Sequence, residues 1–246
     1  MSSSSTSTLT RDGLRYFEFL LGVTHFFGFS MVLLLAFFMN SFGDGAAWPR
    51  KASGGSGGDQ LHGLLMAVAF VFLQGEALLA YRVYRYNVKI LSKLIHAALH
   101  TVVIGMSATA FAVIILTKNA SKNPHFSSIH SWIGLSVLFI YATQYTFGLM
   151  TFLLPCAPLK TRARMLPVHR LVGAACLAIA TCQCIVGFVQ VVNWGGVSCF
   201  GTLSCKNRME YVANVCMMTM IIYSAMVIVL ITPAAWRRAK TPDEMK

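Results

Sequence analysis

The chain has 246 residues, of which 56% are hydrophobic and only 11% charged. An average soluble domain is about 45–50% apolar and about 25% charged, so this composition, with a mean hydropathy of +0.64, excludes a soluble globular enzyme. The net charge of +12 invites a nucleic-acid reading, which the placement of that charge along the chain sets aside.

A helix that spans a bilayer needs about 20 mainly apolar residues. Six such runs are present, at 17–39, 61–82, 95–116, 130–154, 168–192 and 212–232. Residues 1–16 read as a disordered tail whose opening MSSSSTSTLT has no basic region, and the first run is too long for a signal-peptide core. Residues 17–232 form the expected six-helix transmembrane domain. The segment KASGGSGG at 51–58 reads as a flexible loop by composition. The longest stretch between spans, 40–60, is too short for a separate soluble domain, and 233–246 form a second tail. The expected fold is therefore all-α, with whatever chemistry the chain performs placed within the membrane or at its two faces.

The basic residues sort by face. Arg11 and Arg15 precede the first span, Arg82, Arg85, Lys89 and Lys93 surround the second loop, and Lys160, Arg162, Arg164 and Arg170 surround the fourth. Arg237, Arg238, Lys240 and Lys246 follow the last span. The other face holds only Arg50, Lys51, Lys118, Lys122, Lys206 and Arg208. Positive charge in short loops stays cytoplasmic, so both termini are predicted to be cytosolic, and six spans fit that parity. Cys176, Cys182, Cys184 and Cys216 fall within spans as small packing residues. Cys199 and Cys205 share the outer loop 193–211, where both a disulfide and free thiols stay open. No C-x-x-C-H is present to attach haem covalently.

Four histidines stand out. His62, His96, His130 and His169 each lie within two residues of the start of a predicted span, the second to the fifth in order. Successive spans run in opposite directions. His62 and His130 therefore share the outer half of the membrane, and His96 and His169 the inner half. Ionisable residues within spans are costly and mark function. A neutral imidazole from each of two facing helices can ligate one haem iron axially, so two pairs would stack two haems across the bilayer, with irons roughly 20 Å apart from helix rise alone. With both axial positions taken by protein, such haems favour electron transfer over oxygen binding. His25 has no matching partner, and His100, one turn after His96, suits a structural role.

Several local motifs sharpen this picture: QGEALLAYR at 74–82, KLIHAALH at 93–100, IHSWIGL at 129–135, FGLMTFLLPCAPL at 147–159 and LPVHRLVG at 166–173. With the four-histidine spacing, they make the chain resemble the cytochrome b561 family, the ascorbate-dependent transmembrane dihaem cytochromes, over about residues 17–240. Within that family it looks like the ascorbate-reducible ferric reductases. The resemblance implies six helices, of which helices 2–5 form a four-helix bundle. It implies two non-covalent b-type haems per chain, the outer held by His62 and His130, the inner by His96 and His169. It also implies a cytosolic ascorbate site at Lys89, Lys93 and Arg162, and an inner-haem propionate partner in Arg82. Ascorbate is a monoanion at neutral pH, so a cationic funnel would raise its local concentration.

The acceptor side departs from the family pattern. Relatives carry a Phe-x-Asn-His-like element after the third span, where this chain reads ILTKNASKNPHF at 115–126. His125 and Phe126 are the candidates for an outer acceptor site. Glu210 and Asn214 roughly match an acidic-to-Asn element. The resemblance further implies a homodimer in the plasma membrane or an endosomal, lysosomal or secretory vesicle membrane, with ferric chelate or monodehydroascorbate as acceptor and no nucleic-acid partner. Two rivals are a quinol-linked dihaem cytochrome and a metal transporter. The transporter would be expected to add carboxylates along its path, yet the predicted spans hold only Glu18 and Glu76.

Overall fold

A computed structural model describes residues 11–41, 43–154, 156–194 and 208–237. Six of its helices are long and apolar enough to cross a membrane. They are α1 (Arg11–Ser41), α2 (Gly58–Val83), α3 (Lys89–Ser121), α4 (Ile129–Leu153), α5 (Leu159–Trp194) and α6 (Met209–Ile231). No strand occurs among the described residues. The Cys199 and Cys205 pair lies outside them, as do residues 1–10 of the expected N-terminal tail and 238–246 of the C-terminal one.

The helices run past the apolar runs that signal them. α1 starts at Arg11, so residues 11–16 are helix where a tail was expected. α3 starts at Lys89 and α5 at Leu159, six and nine residues before 95 and 168. Apolar counting finds the hydrocarbon layer. Lys89, Lys93, Lys160, Arg162 and Arg164 instead extend these helices beyond the apolar runs. α5 even continues through Pro167. His96 therefore stands seven residues into α3 and His169 ten residues into α5, although each still lies one residue inside its apolar run.

The glycine-rich 51–58 segment is a series of turns, not a free loop. Gly54, Gly55 and Gly57 adopt φ of 62°, 85° and 79°, a region that L side chains rarely enter. Gly55 N donates to Arg50 O at 3.1 Å, and Ala47 N to Gly57 O at 3.1 Å. The segment closes over the end of α3, where a Cβ on Gly55 would come within 2.9 Å of Thr117 O.

α2–α3 and α4–α5 pack as two close antiparallel pairs. α2 also packs on α5, while α3 and α4 make few contacts. Helices 2–5 thus form a four-helix bundle that is loose along one seam. α1 and α6 pack on each other outside it, and α6 touches α2 and α5. A buried layer of Phe70, Val103, Val137, Tyr141, Cys176 and Ala180 fills the middle of the bundle, with all four helices contributing. It separates the two ends at which the histidines sit.

One polar cluster lies between α1, α2 and α6. The run Val68–Leu73 in α2 is π-helical, a local widening that disturbs the backbone hydrogen-bond ladder. Tyr223 Oη donates to Phe72 O at 2.9 Å and lies 2.9 Å from Glu76 Oε1. Glu76 Oε2 also faces His25 Nε2 at 3.1 Å. Gly28 makes room for Tyr223, since a Cβ there would come within 2.7 Å of the ring. His25 therefore has a structural partner on the neighbouring helix.

Candidate functional site

At the basic face, α3 and α5 bring His96 and His169 together with ring centroids 6.3 Å apart. Two imidazoles that bind one metal ion from opposite sides, each through a nitrogen about 2 Å from it, place their centroids roughly 6 Å apart. His96 Nδ1 donates to Ala77 O on α2 at 2.7 Å, which fixes the tautomer and leaves Nε2 free to ligate. His169 Nδ1 is buried without a partner among the described residues. The Phe152 ring packs 5.0 Å from the His169 ring. Gly148 lies against that imidazole, where a Cβ would come within 3.0 Å of Cε1. His100 also belongs to this end. Its ring lies 4.4 Å from that of His96, and its Nδ1 is hydrogen-bonded to the Tyr141 hydroxyl in the central layer.

The opposite end repeats the logic with an open mouth. His62 of α2 and His130 of α4 line one cleft, about 1330 Å³ of non-atom space with its mouth included. His62 Nδ1 donates to Ala110 O on α3 at 2.9 Å, again presenting Nε2. His130 faces Gly187 of α5, where a Cβ would come within 3.2 Å of both ring nitrogens. His125 and Phe126 line the same cleft. His125 is exposed, with Nε2 2.9 Å from Asn119 Oδ1. Phe126 has φ of 51°, a conformation that costs a non-glycine residue about 1–2 kcal/mol.

The two ends are cross-braced. The His62 level of α2 is tied to Ala110 of α3, and the His96 level of α3 to Ala77 of α2. Between these levels lie 15 residues of α2 and 14 of α3, roughly 21 Å of helix rise. α4 and α5 mirror each other: Gln144 Nε2 donates to His169 O at 2.6 Å, and Gln183 Nε2 donates to His130 O. Each helix thus carries a His, a Gln 14 residues on and a Gly 18 residues on, as His130, Gln144 and Gly148 and as His169, Gln183 and Gly187. The glutamine and glycine of each helix serve the histidine of the other. The sequence reading singled out neither glutamine, although the doubled spacing carried the signal.

The predicted cytosolic cations converge on the loop between α4 and α5. Lys93 Nζ donates to Phe152 O at 2.8 Å and Arg162 Nε to Ala157 O at 2.8 Å. Lys89 is exposed at the start of α3, one turn from Lys93. The Arg82 guanidinium donates to Pro233 O at 2.9 Å and to Ile231 O, so it caps the end of α6. The sequence shows its charge, but not that the carbonyl end of α6 arrives beside it.

Among the described residues no three His, Cys, Asp or Glu side chains group to hold a bare metal ion. Facing imidazole pairs, each with room kept by a glycine, suit a planar metal complex with two open axial positions. The match with known proteins agrees. The family model of eukaryotic cytochrome b561 fits residues 61–194. A Caenorhabditis elegans protein named as a homologue of the transmembrane ascorbate-dependent reductase CYB561 is 29% identical over 244 residues, covering 95% of this chain and 89% of the relative. The pig transmembrane ascorbate-dependent reductase CYB561 (Sus scrofa) is 28% identical over 218 residues, 88% of this chain and 83% of its own. The rat plasma membrane ascorbate-dependent reductase CYBRD1 (Rattus norvegicus) is 27% identical over 245 residues, 96% and 82% of the two chains. Four histidines on four helices, cross-braced at two levels of a transmembrane bundle, and a family match that spans all four identify this chain as a member of the eukaryotic cytochrome b561 family.

Proposed function

We propose that the protein carries single electrons from cytosolic ascorbate across the membrane to an acceptor on the other side, ferric chelate or monodehydroascorbate. In this reading two non-covalent haem b groups sit one above the other, the inner between His96 and His169 and the outer between His62 and His130. Haem bound by two imidazoles supplies a one-electron couple with no open site for oxygen. The observation that carries the reading is the His96–His169 pair, with centroids 6.3 Å apart and the His96 tautomer fixed by Ala77. The glycines at 148 and 187 support it, because each keeps a helix surface open beside an imidazole.

The remaining roles belong to the chain's own groups. Lys89, Lys93 and Arg162 attract the ascorbate monoanion to the inner face, where Lys93 holds the backbone of Phe152 and Phe152 packs on His169. An anion drawn there lies one aromatic ring away from an inner ligand. At the outer face, His125 offers an imidazole to a ferric chelate or to an ascorbyl oxygen at the cleft mouth, and Phe126 stacks toward Phe111 on the cleft wall. The central apolar layer keeps water from bridging the two ends. The basic face and both termini lie in the cytosol in this reading, which the positive-inside distribution of charge supports. The membrane is the plasma membrane or that of an endosomal, lysosomal or secretory vesicle, and the assembly a homodimer, by likeness to the family.

The test is directional. Vesicles loaded with ascorbate and carrying the protein with its basic face inward should reduce an external ferric chelate, and vesicles with buffer inside should not. Equal external rates with and without internal ascorbate would refute transmembrane transfer.

A further inference from the structure

We infer that Lys118 is a cofactor-binding residue of the outer site: its ammonium holds a propionate carboxylate of the outer haem, and Asp59 aims it. The inference rests on the dihaem reading above.

Lys118 is built into the wall of the outer cleft. It lies in the last turn of α3, on one helix face with Phe111 and Ile115, and all three line the cleft together with His62 and His130. Asp59 lies in the first turn of α2, three residues before His62. The two helix ends meet at Gly58, where any Cβ would overlap the hydroxyl of the buried Thr117. That close approach leaves Lys118 Nζ 3.7 Å from Asp59 Oδ1. Each charge also suits its helix end, a carboxylate at the N-terminus and an ammonium at the C-terminus.

The surroundings of Lys118 point to a carboxylate ligand. Its side chain is only 14% exposed, against 36% for Asp59, so the ammonium is the more enclosed of the two. A lysine is almost never so enclosed unless it is paired. Among the described residues that line the cleft, Lys118 is the one lysine or arginine and Asp59 the one acid. Both charges lie within electrostatic reach of the His62 imidazole, so the pair stands beside the proposed outer ligand. A haem held by His62 and His130 brings two propionate carboxylates into this same cleft, and a carboxylate taken from water needs a partner. An ammonium has three N–H donors and can face Asp59 and a propionate together. The 3.7 Å separation exceeds the roughly 2.7–2.9 Å of a charge-assisted hydrogen bond, so Asp59 directs Lys118 without a tight bond. In this arrangement α3, which gives the outer haem no axial ligand, supplies the contact at its edge.

A plain strut between α2 and α3 would behave differently, because losing either partner would then have the same effect. The experiment compares purified wild-type holoprotein with Lys118→Met, Lys118→Arg and Asp59→Asn. Haem content after gel filtration and a spectroelectrochemical titration are measured on each. His130→Ala, which keeps only the inner haem, assigns the two waves. Lys118→Met should weaken retention of the outer haem about tenfold or more. In the molecules that keep it, the outer potential should fall, because removing a nearby cation favours the ferric state. The expected size is about tenfold in the oxidised-to-reduced ratio at fixed potential, about 59 mV for one electron. Asp59→Asn should keep the outer haem and move the outer wave the opposite way, and Lys118→Arg should keep both haems. The inner wave should stay in place throughout. Equal loss of outer haem from Lys118→Met and Asp59→Asn would reduce the pair to a strut and overturn the inference. A Lys118→Met protein with both haems and an unmoved outer wave would overturn it as well. If Lys118→Met sheds the outer haem completely, Asp59→Asn decides: a retained haem with a raised potential supports the inference, and any other result overturns it. Fewer than two haems in the well-folded wild type would instead overturn the dihaem reading and this inference with it.

Discussion

The inner pair comes from α3 and α5 and the outer pair from α2 and α4 of one bundle, and the two pairs differ in what surrounds them. The inner pair is closed in. Phe152 covers His169, His100 lies against His96, Lys93 binds the last turn of α4 and Arg162 the loop that follows it. The outer pair opens through a wide cleft whose mouth carries His125 and Phe126. In the proposed reading, the cations at the inner end receive a small anion and the roomy outer cleft receives the acceptor.

The comparison can be strained from either side. The largest effect below outright haem loss belongs to the inner entrance. Lys93→Ala with Arg162→Ala should slow reduction by ascorbate about tenfold or more while haem content stays constant, since charge-lined sites raise on-rates by about 10–10³. Stopped-flow traces at rising salt should show the wild-type advantage shrinking, because exposed charges are screened within about 10 Å at 0.1 M. A double variant with wild-type ascorbate kinetics would remove the donor site from the basic face.

Next come the two glycines. A Cβ at Gly187 would press on the His130 ring, and one at Gly148 on His169 at 3.0 Å. Gly187→Ala should weaken retention of the outer haem alone, and Gly148→Ala, the less crowded of the two, should disturb the inner haem more mildly. Disturbed second-layer support costs such sites about 10–100-fold in affinity. Haem retained on a gel-filtration column reads this out, and a Gly187→Ala protein that sheds the inner haem would contradict the assignment of faces.

A smaller effect is expected at the outer mouth. His125→Ala should lower the external ferric-chelate rate a few-fold and leave internal ascorbate reduction unchanged. Matching rates for His125→Ala and wild type would leave the acceptor to other groups of the cleft. Tyr223→Phe serves as the control between the two pairs. It removes hydrogen bonds to Phe72 and Glu76 outside both sites, and each such bond in a membrane bundle is worth about 0.6 kcal/mol. A modest fall in thermal stability with unaltered haem spectra is the expected outcome.

The six spans and the four histidines were legible because both rest on strong physical preferences: lipid selects apolar runs of fixed length, and it penalises imidazole except where something uses it. The ends of α1, α3 and α5 were not legible. Residues such as Arg11, Lys89 and Arg162 belong to helix and interface together, and apolar counting sees only the hydrocarbon between them. The place of Arg82 at the end of α6 was not legible for a related reason. Its charge was visible, but its partners, the carbonyls of Ile231 and Pro233, lie about 150 residues away and are apolar by name. The mirrored His, Gln and Gly spacing on α4 and α5 was present in the letters. It becomes meaningful only once the helices are seen to run antiparallel, so that position 14 on one meets position 0 on the other.

The central claim is that each facing pair holds one haem. The most direct test counts haem by pyridine haemochrome in the purified wild type and in His62→Ala, His96→Ala, His130→Ala and His169→Ala, with the visible spectrum recorded before and after ascorbate. The account predicts close to two low-spin haems per chain in the wild type and one in each variant. The His62 and His130 variants should keep one and the same haem, and the His96 and His169 variants the other. A wild-type protein with one haem or none when well folded would contradict it, and so would variants whose remaining haem pairs His62 with His96.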